Sequence, residues 1–129
     1  ALRRLRPLGG RRIIKKTTIW HNPRCSKSRE ALALLEGRGV NVTTRLYLED
    51  PPDADTLRAV LKKLGMSARE MLRRKEDAYK ELGLGDDSLS DDELIAAMVA
   101  NPKLIERPVV LVGKRAALGR PPEDVLRLL

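Results

Sequence analysis

TIWHNPRCSKSR, running from Thr18 to Arg29, holds the only cysteine of the chain, Cys25, and its only histidine, His21. The stretch has the form of a strand end, a polar loop containing Pro23, and the start of a helix. That order sets Cys25 at a helix N-terminus, where unpaired backbone N–H groups and the positive end of the macrodipole stabilise an anion. Arg24, Lys27 and Arg29 are close enough in sequence to stabilise a thiolate there further. A lone cysteine is commonly a small buried hydrophobe. Polar and cationic residues crowd this one from both sides, so Cys25 reads as a nucleophile.

Working outward, Thr17–Trp20 is short and β-branched, a first strand. Ser26–Glu36 carries Ala31, Leu32 and Leu35 at helical spacing and stops at Gly37 or Gly39. Val40, Val42, Thr44, Leu46 and Leu48 then alternate with Asn41, Thr43, Arg45 and Tyr47, the period of a half-buried strand. Strand, helix and strand in this order make a βαβ unit with a parallel pair. The middle of the chain reads as helical. Leu57, Val60, Leu61 and Leu64 fall at i, i+3, i+4 and i+7 before Gly65. Ser67 with Glu70 and Ser90 with Glu93 form two capping boxes, and Lys75–Asp87 between them reads as a short helix and loop. Pro108–Val112 is a continuous apolar run, hence a buried strand; Gly113-Lys114 suits a two-residue type II′ turn into a partner strand over Arg115–Gly119. Pro121 and Pro122 open a last helix with Glu123 and Asp124 in its first turn.

At 129 residues the chain makes one domain, and with no Phe its core must come from Leu, Val, Ile, Ala and Met. The formal charge is +8, which would suit nucleic acid. Seven of those charges sit in residues 1–16, which contain no acid, leaving +1 for residues 17–129. The body therefore lacks the electrostatic footprint of a nucleic-acid binder. The division is a basic extension over 1–16, disordered at least to residue 12, and a single domain over 17–129. A start-site artefact or an amphipathic targeting segment are the other readings of the extension, which has no apolar run of signal-peptide length. No stretch approaches a membrane span. One unpaired cysteine fits a reducing cytoplasm.

HNPRCSKSR resembles the active-site loop of the glutaredoxin-coupled arsenate reductase (ArsC) family. The likeness runs from about Thr17 to Leu129 through YLEDPP (Tyr47–Pro52), Ala68–Tyr79, NPKLIERPVV (Asn101–Val110) and GRPPEDVL (Gly119–Leu126). It is nearest to a chromosomal branch of the family, since plasmid-type enzymes have a loop more like HNPACGTSR. The resemblance implies an α/β, thioredoxin-like fold, βαβ followed by ββα with an inserted helical region, and the order of elements above agrees.

The hairpin turn pairs 112 with 115, 110 with 117, and 107 with 120, so Arg107 and Arg120 face each other where the hairpin opens. Like charges across a ladder destabilise it unless both point to water. Two guanidinium forks flanked by Pro108 and Pro121 also suit a tetrahedral oxyanion. The resemblance favours the second reading: it implies Arg73, Arg107 and Arg120 as oxyanion-binding residues and a cis bond before Pro108. For Arg73 alone a solvated helix face would be the ordinary reading. His21 is either a loop hydrogen-bonder or, as the resemblance implies, a catalytic partner that holds the Cys25 thiolate. Asn22, Arg24, Ser28, Arg29 and Pro108 are supporting residues, with the Ser28 hydroxyl within reach of the thiolate. A lone histidine makes no metal site.

The resemblance thus implies an oxidoreductase of arsenic resistance in which Cys25 attacks arsenate, glutathione serves as co-substrate and glutaredoxin as partner, with no metal and no bound organic cofactor. Two alternatives stay open. One is a glutathione-dependent thiol oxidoreductase with another substrate, suggested by Arg24 and Lys27. The other is a regulator of the Spx type, though Cys25-Ser-Lys-Ser28 lacks the second cysteine of a CxxC switch.

Overall fold

The computed structural model describes residues 16–129; apart from Lys16, the basic extension expected over 1–16 lies outside the described residues. Strand β1 (Thr17–Trp20) leads through the cysteine loop into helix α1 (Ser26–Gly37), and β2 (Val42–Arg45) returns parallel to β1. Helices α2 (Ala54–Leu64), α3 (Ala68–Met71), α4 (Asp77–Glu81) and α5 (Asp91–Ala100) form the insertion. A 3₁₀ turn over Pro102–Leu104 leads to β3 (Val109–Val112), which runs antiparallel to β1 and pairs with β4 (Arg115–Leu118). The sheet order is β2-β1-β3-β4. This is the α/β, thioredoxin-like arrangement with a helical insertion.

The sheet is covered on both faces, which is why its central strand β3 reads as an unbroken apolar run. One face buries Ile19, Val110, Val112 and Ala117 against Ala31 and Leu35 of α1 and against Val125 and Leu128. The other packs Trp20 and Val109 against Leu57, Val60, Met71, Leu94 and Met98 of the insertion. Each Val, Leu, Ile or Met side chain among them taken fully out of water contributes about 1.5–3 kcal/mol.

Local chemistry sets the boundaries. Both capping boxes form: Ser67 and Ser90 accept from the backbone N–H groups of Glu70 and Glu93, whose carboxylates reach back to the cap N–H groups. Asp53 caps α2 through Thr56 N–H at 2.7 Å, and Gly65, at φ +68°, ends it in the left-handed conformation that glycine adopts without penalty. The turn Gly113-Lys114 joins β3 to β4 with the expected pairing of Val112 to Arg115.

Two expectations change. The alternating stretch does not continue as a strand to Leu48. It leaves the sheet after Arg45, whose guanidinium donates to the Asp50 and Pro51 carbonyls and turns the chain away. As a result Tyr47 is buried while Leu46 and Leu48 are among the exposed large hydrophobic residues, the reverse of an apolar strand face. The closing segment Pro122–Leu128 is a 3₁₀ helix, not an α-helix. Its buried residues Pro122, Val125 and Leu128 recur every third position, the period of a 3₁₀ turn.

Gly119 sits where a Cβ atom would lie 2.6 Å from Pro108 Cγ and 3.3 Å from Ala31 Cβ. A proline ring cannot yield as a flexible side chain would. Gly119→Ala should therefore cost about 1–3 kcal/mol as an overpacked site. Urea unfolding that matched the wild type within a few tenths of a kcal/mol would contradict this contact.

Candidate functional site

Trp20 pairs with Arg45 on one side and Val109 on the other, and Val109 pairs with Leu118. These four residues form a row across the sheet. Because β3 runs opposite to the other three strands, the chain passes beyond the row on the same side at every strand. His21–Cys25, Leu46–Tyr47, Arg107–Pro108 and Gly119–Arg120 therefore gather at one end of the sheet. Arg73 arrives from the insertion by a separate route. An isolated bridge between Leu72 and Ile105 is flanked by hydrogen bonds from Arg73 N–H to the Leu104 carbonyl and from Glu106 N–H to the Met71 carbonyl.

Cys25 is the N-cap residue of α1 and is partly exposed. Its side chain makes no capping bond, and the amides of Ser26, Lys27 and Ser28 have no acceptor within the helix. Asn22 shapes the loop: its carbonyl accepts from Cys25 N–H at 2.9 Å and its side-chain oxygen from Arg24 N–H at 3.0 Å. Arg29 donates to the Pro23 carbonyl at 2.8 Å, closing the loop on the helix.

Ser28 and His21 are joined to each other. The Ser28 hydroxyl is fully buried, lies 2.6 Å from His21 Nδ1 and accepts from Asn22 N–H at 3.0 Å. No side chain among the described residues hydrogen-bonds the Cys25 sulfur. Burial first, then the Arg29 charge, holds the His21 pKa below its ordinary value, with Glu36 opposing them. His21 is therefore a neutral ring at neutral pH that positions the loop through Ser28.

Beside this loop opens a pocket of about 230 Å³ whose lining includes Asn22, Arg24, Tyr47, Arg73, Lys103 and Arg107. The two bonds Arg107–Pro108 and Arg120–Pro121 are both cis. The resemblance implies the first; the sequence carries no signal for the second. Arg107 has a buried Nε with no partner. Arg120 stands outside the pocket lining. It donates to the Arg107 carbonyl at 2.9 Å, and its Nε lies 3.6 Å from Glu106 Oε1. The same oxygen lies 3.5 Å from Arg73 Nε, and Arg73 also pairs with Glu76 at 2.9 Å. The expected face-to-face clash of Arg107 and Arg120 is thus avoided. Glu106 draws Arg120 to one side while Arg107 turns into the pocket. Five cations (Arg24, Arg73, Lys103, Arg107, Arg120) meet two carboxylates (Glu76, Glu106), so the pocket and its wall stay net positive.

Sequence reasoning missed Glu106, Glu76, Lys103 and Tyr47. Glu76 lies at i+3 from Arg73, a readable spacing. Lys103 and Glu106 fall inside the NPKLIERPVV landmark, but nothing there marks them as pocket residues. Among the described residues no group of three or more His, Cys, Asp or Glu side chains is placed to hold a metal ion, and no helix is long and apolar enough to cross a membrane.

A cysteine at a helix N-terminus beside a cationic pocket on a thioredoxin-like sheet defines the class, and comparisons with known proteins name it. A model of the ArsC family matches residues 20–128, and the chain belongs to that family. It is 60% identical over 118 residues to the uncharacterized protein YfgD of Escherichia coli, covering 91% of this chain and 99% of that one. It is 51% identical over 112 residues to an arsenate reductase of Neisseria meningitidis, covering 86% and 96%. Among solved structures, an arsenate reductase from Vibrio cholerae superposes with a TM-score of 0.88 at 51% identity, covering 91% of this chain and all of that one.

His21 links the loop to pH. In the unfolded chain it takes up a proton near pH 6.5, whereas the folded protein resists protonation until lower pH. The unfolded state then binds more protons, so stability should fall as pH drops below about 6.5 and level off above it. His21→Gln should remove that portion of the slope between pH 7 and 5. Identical slopes for the two proteins would show that the buried imidazole titrates normally.

Proposed function

We propose that the protein reduces arsenate to arsenite, with Cys25 as nucleophile, glutathione as co-substrate and glutaredoxin as partner. The observation that carries the reading is a single cysteine at the head of α1 flanked by a pocket containing Arg73 and Arg107. Relatives named arsenate reductases support it.

A thiolate at Cys25 attacks arsenic while Arg73 and Arg107 carry the oxyanion charge, with Arg120 close by through the Arg107 carbonyl. Guanidinium forks match two oxygens of a tetrahedral anion at once. An oxygen leaves as water after protonation, and a Cys25–As(V) adduct remains with no change in oxidation state. The chain has no second cysteine to continue. A glutathione thiolate attacks the Cys25 sulfur, and the S–As electron pair departs with arsenic, which becomes As(III). The two thiols are oxidised to a Cys25–glutathione disulfide. A glutaredoxin thiolate then attacks the glutathione sulfur and returns Cys25 as a thiolate. A chain with one cysteine, unable to form an internal disulfide, suits a reducing compartment such as the cytoplasm.

The test is arsenate-dependent NADPH oxidation coupled through glutathione reductase, with glutathione and glutaredoxin supplied. The wild type should turn over and Cys25→Ser should not, because a serine hydroxyl is a poor nucleophile at neutral pH. Arg107→Ala should lower turnover about 10²–10³-fold as a lost charge-stabilising donor, and Arg107→Lys should recover only part of it. A wild type silent toward arsenate yet active on a glutathione mixed disulfide would favour the oxidoreductase with another substrate.

A further inference from the structure

Tyr47 is almost completely buried, and its hydroxyl oxygen has no hydrogen-bond partner. A buried polar group left unpaired is costly and uncommon. Tyr47 lines the same pocket as Arg107, whose buried Nε is also unpaired. Two residues that carry orphan donors thus line one small cavity beside the cysteine loop, and an acceptor entering it from outside would give both a partner.

We propose that Tyr47 is a third oxyanion-binding residue, donating its phenolic O–H to an oxygen of the tetrahedral anion held by Arg73 and Arg107. The inference rests on the oxyanion reading of the pocket given above. The hydroxyl lies within the electrostatic reach of Arg73, Cys25, Glu106 and Glu76. Burial, the largest influence on it, keeps the phenol protonated well beyond its ordinary range, with Cys25, Glu106 and Glu76 acting the same way against Arg73. It therefore remains a donor at any working pH. A neutral donor adds direction without further positive charge, so it favours an acceptor oxygen and gives nothing to a ligand that lacks one.

The alternative is that the phenol serves only the fold. Tyr47→Phe separates the two, since it keeps the ring within the core cluster that includes Trp20, Leu57 and Leu104 and removes only the oxygen. Calorimetric titration with arsenate in the Cys25→Ser background reads binding without chemistry. Adding Tyr47→Phe should weaken Kd about tenfold. The melting temperature of the anion-free protein should hold or rise, because an unpaired buried hydroxyl has been removed. Unchanged arsenate affinity, or a melting temperature lowered by several degrees with affinity retained, would overturn the role of Tyr47 alone. Absence of arsenate binding in the Cys25→Ser parent, with the wild type also inactive, would overturn the oxyanion reading and this inference together.

Discussion

The backbone pairing of Trp20 with Val109 is the interaction on which the site depends. It is antiparallel, so the end of β1 and the beginning of β3 are neighbours, and the chain leaving one strand lies beside the chain entering the other. The cysteine loop and the Arg107–Pro108 segment are brought together by this register. A shift by one residue would move every side chain of β3 to the opposite face, putting Val110 where Leu111 belongs and breaking both cores. Because β1 and β3 are buried on both faces, that slip would cost several side chains of hydrophobic burial. The chemistry at the sheet end thus inherits its precision from packing at the sheet centre.

Arginine placement is a matter of competing electrostatic terms. Two guanidinium groups at the mouth of a hairpin repel, and an exposed ion pair contributes only about 0–1 kcal/mol. Glu106 changes the balance by geometry as much as by charge. One of its oxygens faces both Arg73 and Arg120, and the Arg107 N–H donates to it at 3.3 Å. The carboxylate holds the wall of the pocket together and leaves the Arg107 fork inside it. The arginines are thereby arranged before an anion arrives, which reduces the ordering that binding must impose.

Most of the fold is legible in the sequence because its signals are local. Capping boxes at Ser67 and Ser90, the stop at Gly65 and the turn at Gly113 each depend on residues a few positions apart. The hairpin register comes from that turn, and the expected pairs Val112–Arg115 and Val110–Ala117 are the ones observed. Tyr47 escapes because period-two patterning says nothing of where a strand ends. The end here is set by Arg45 reaching carbonyls five and six residues on. Glu106 is invisible for a different reason. Its partner Arg73 is 33 positions away in sequence, and their meeting depends on the Leu72–Ile105 bridge, for which a single chain carries no pattern. His21 and Ser28 are recognisable as residues of the site, but that they bond to each other needs the loop's three-dimensional path.

The manner in which β2 ends also bears on how this molecule behaves toward copies of itself. A sheet border displays unpaired amides and carbonyls that can template another strand, and natural proteins blunt such borders with charge and brevity. At four residues β2 offers a short border. Arg45 closes it, with its guanidinium 5.9 Å from the centre of the Trp20 ring and bonded to the departing chain. On the opposite border Arg115 opens β4 and donates to the Arg127 carbonyl at 2.9 Å. Each outer strand thus carries an arginine tied to its own chain, a guard against fibre-like stacking at both margins of the sheet.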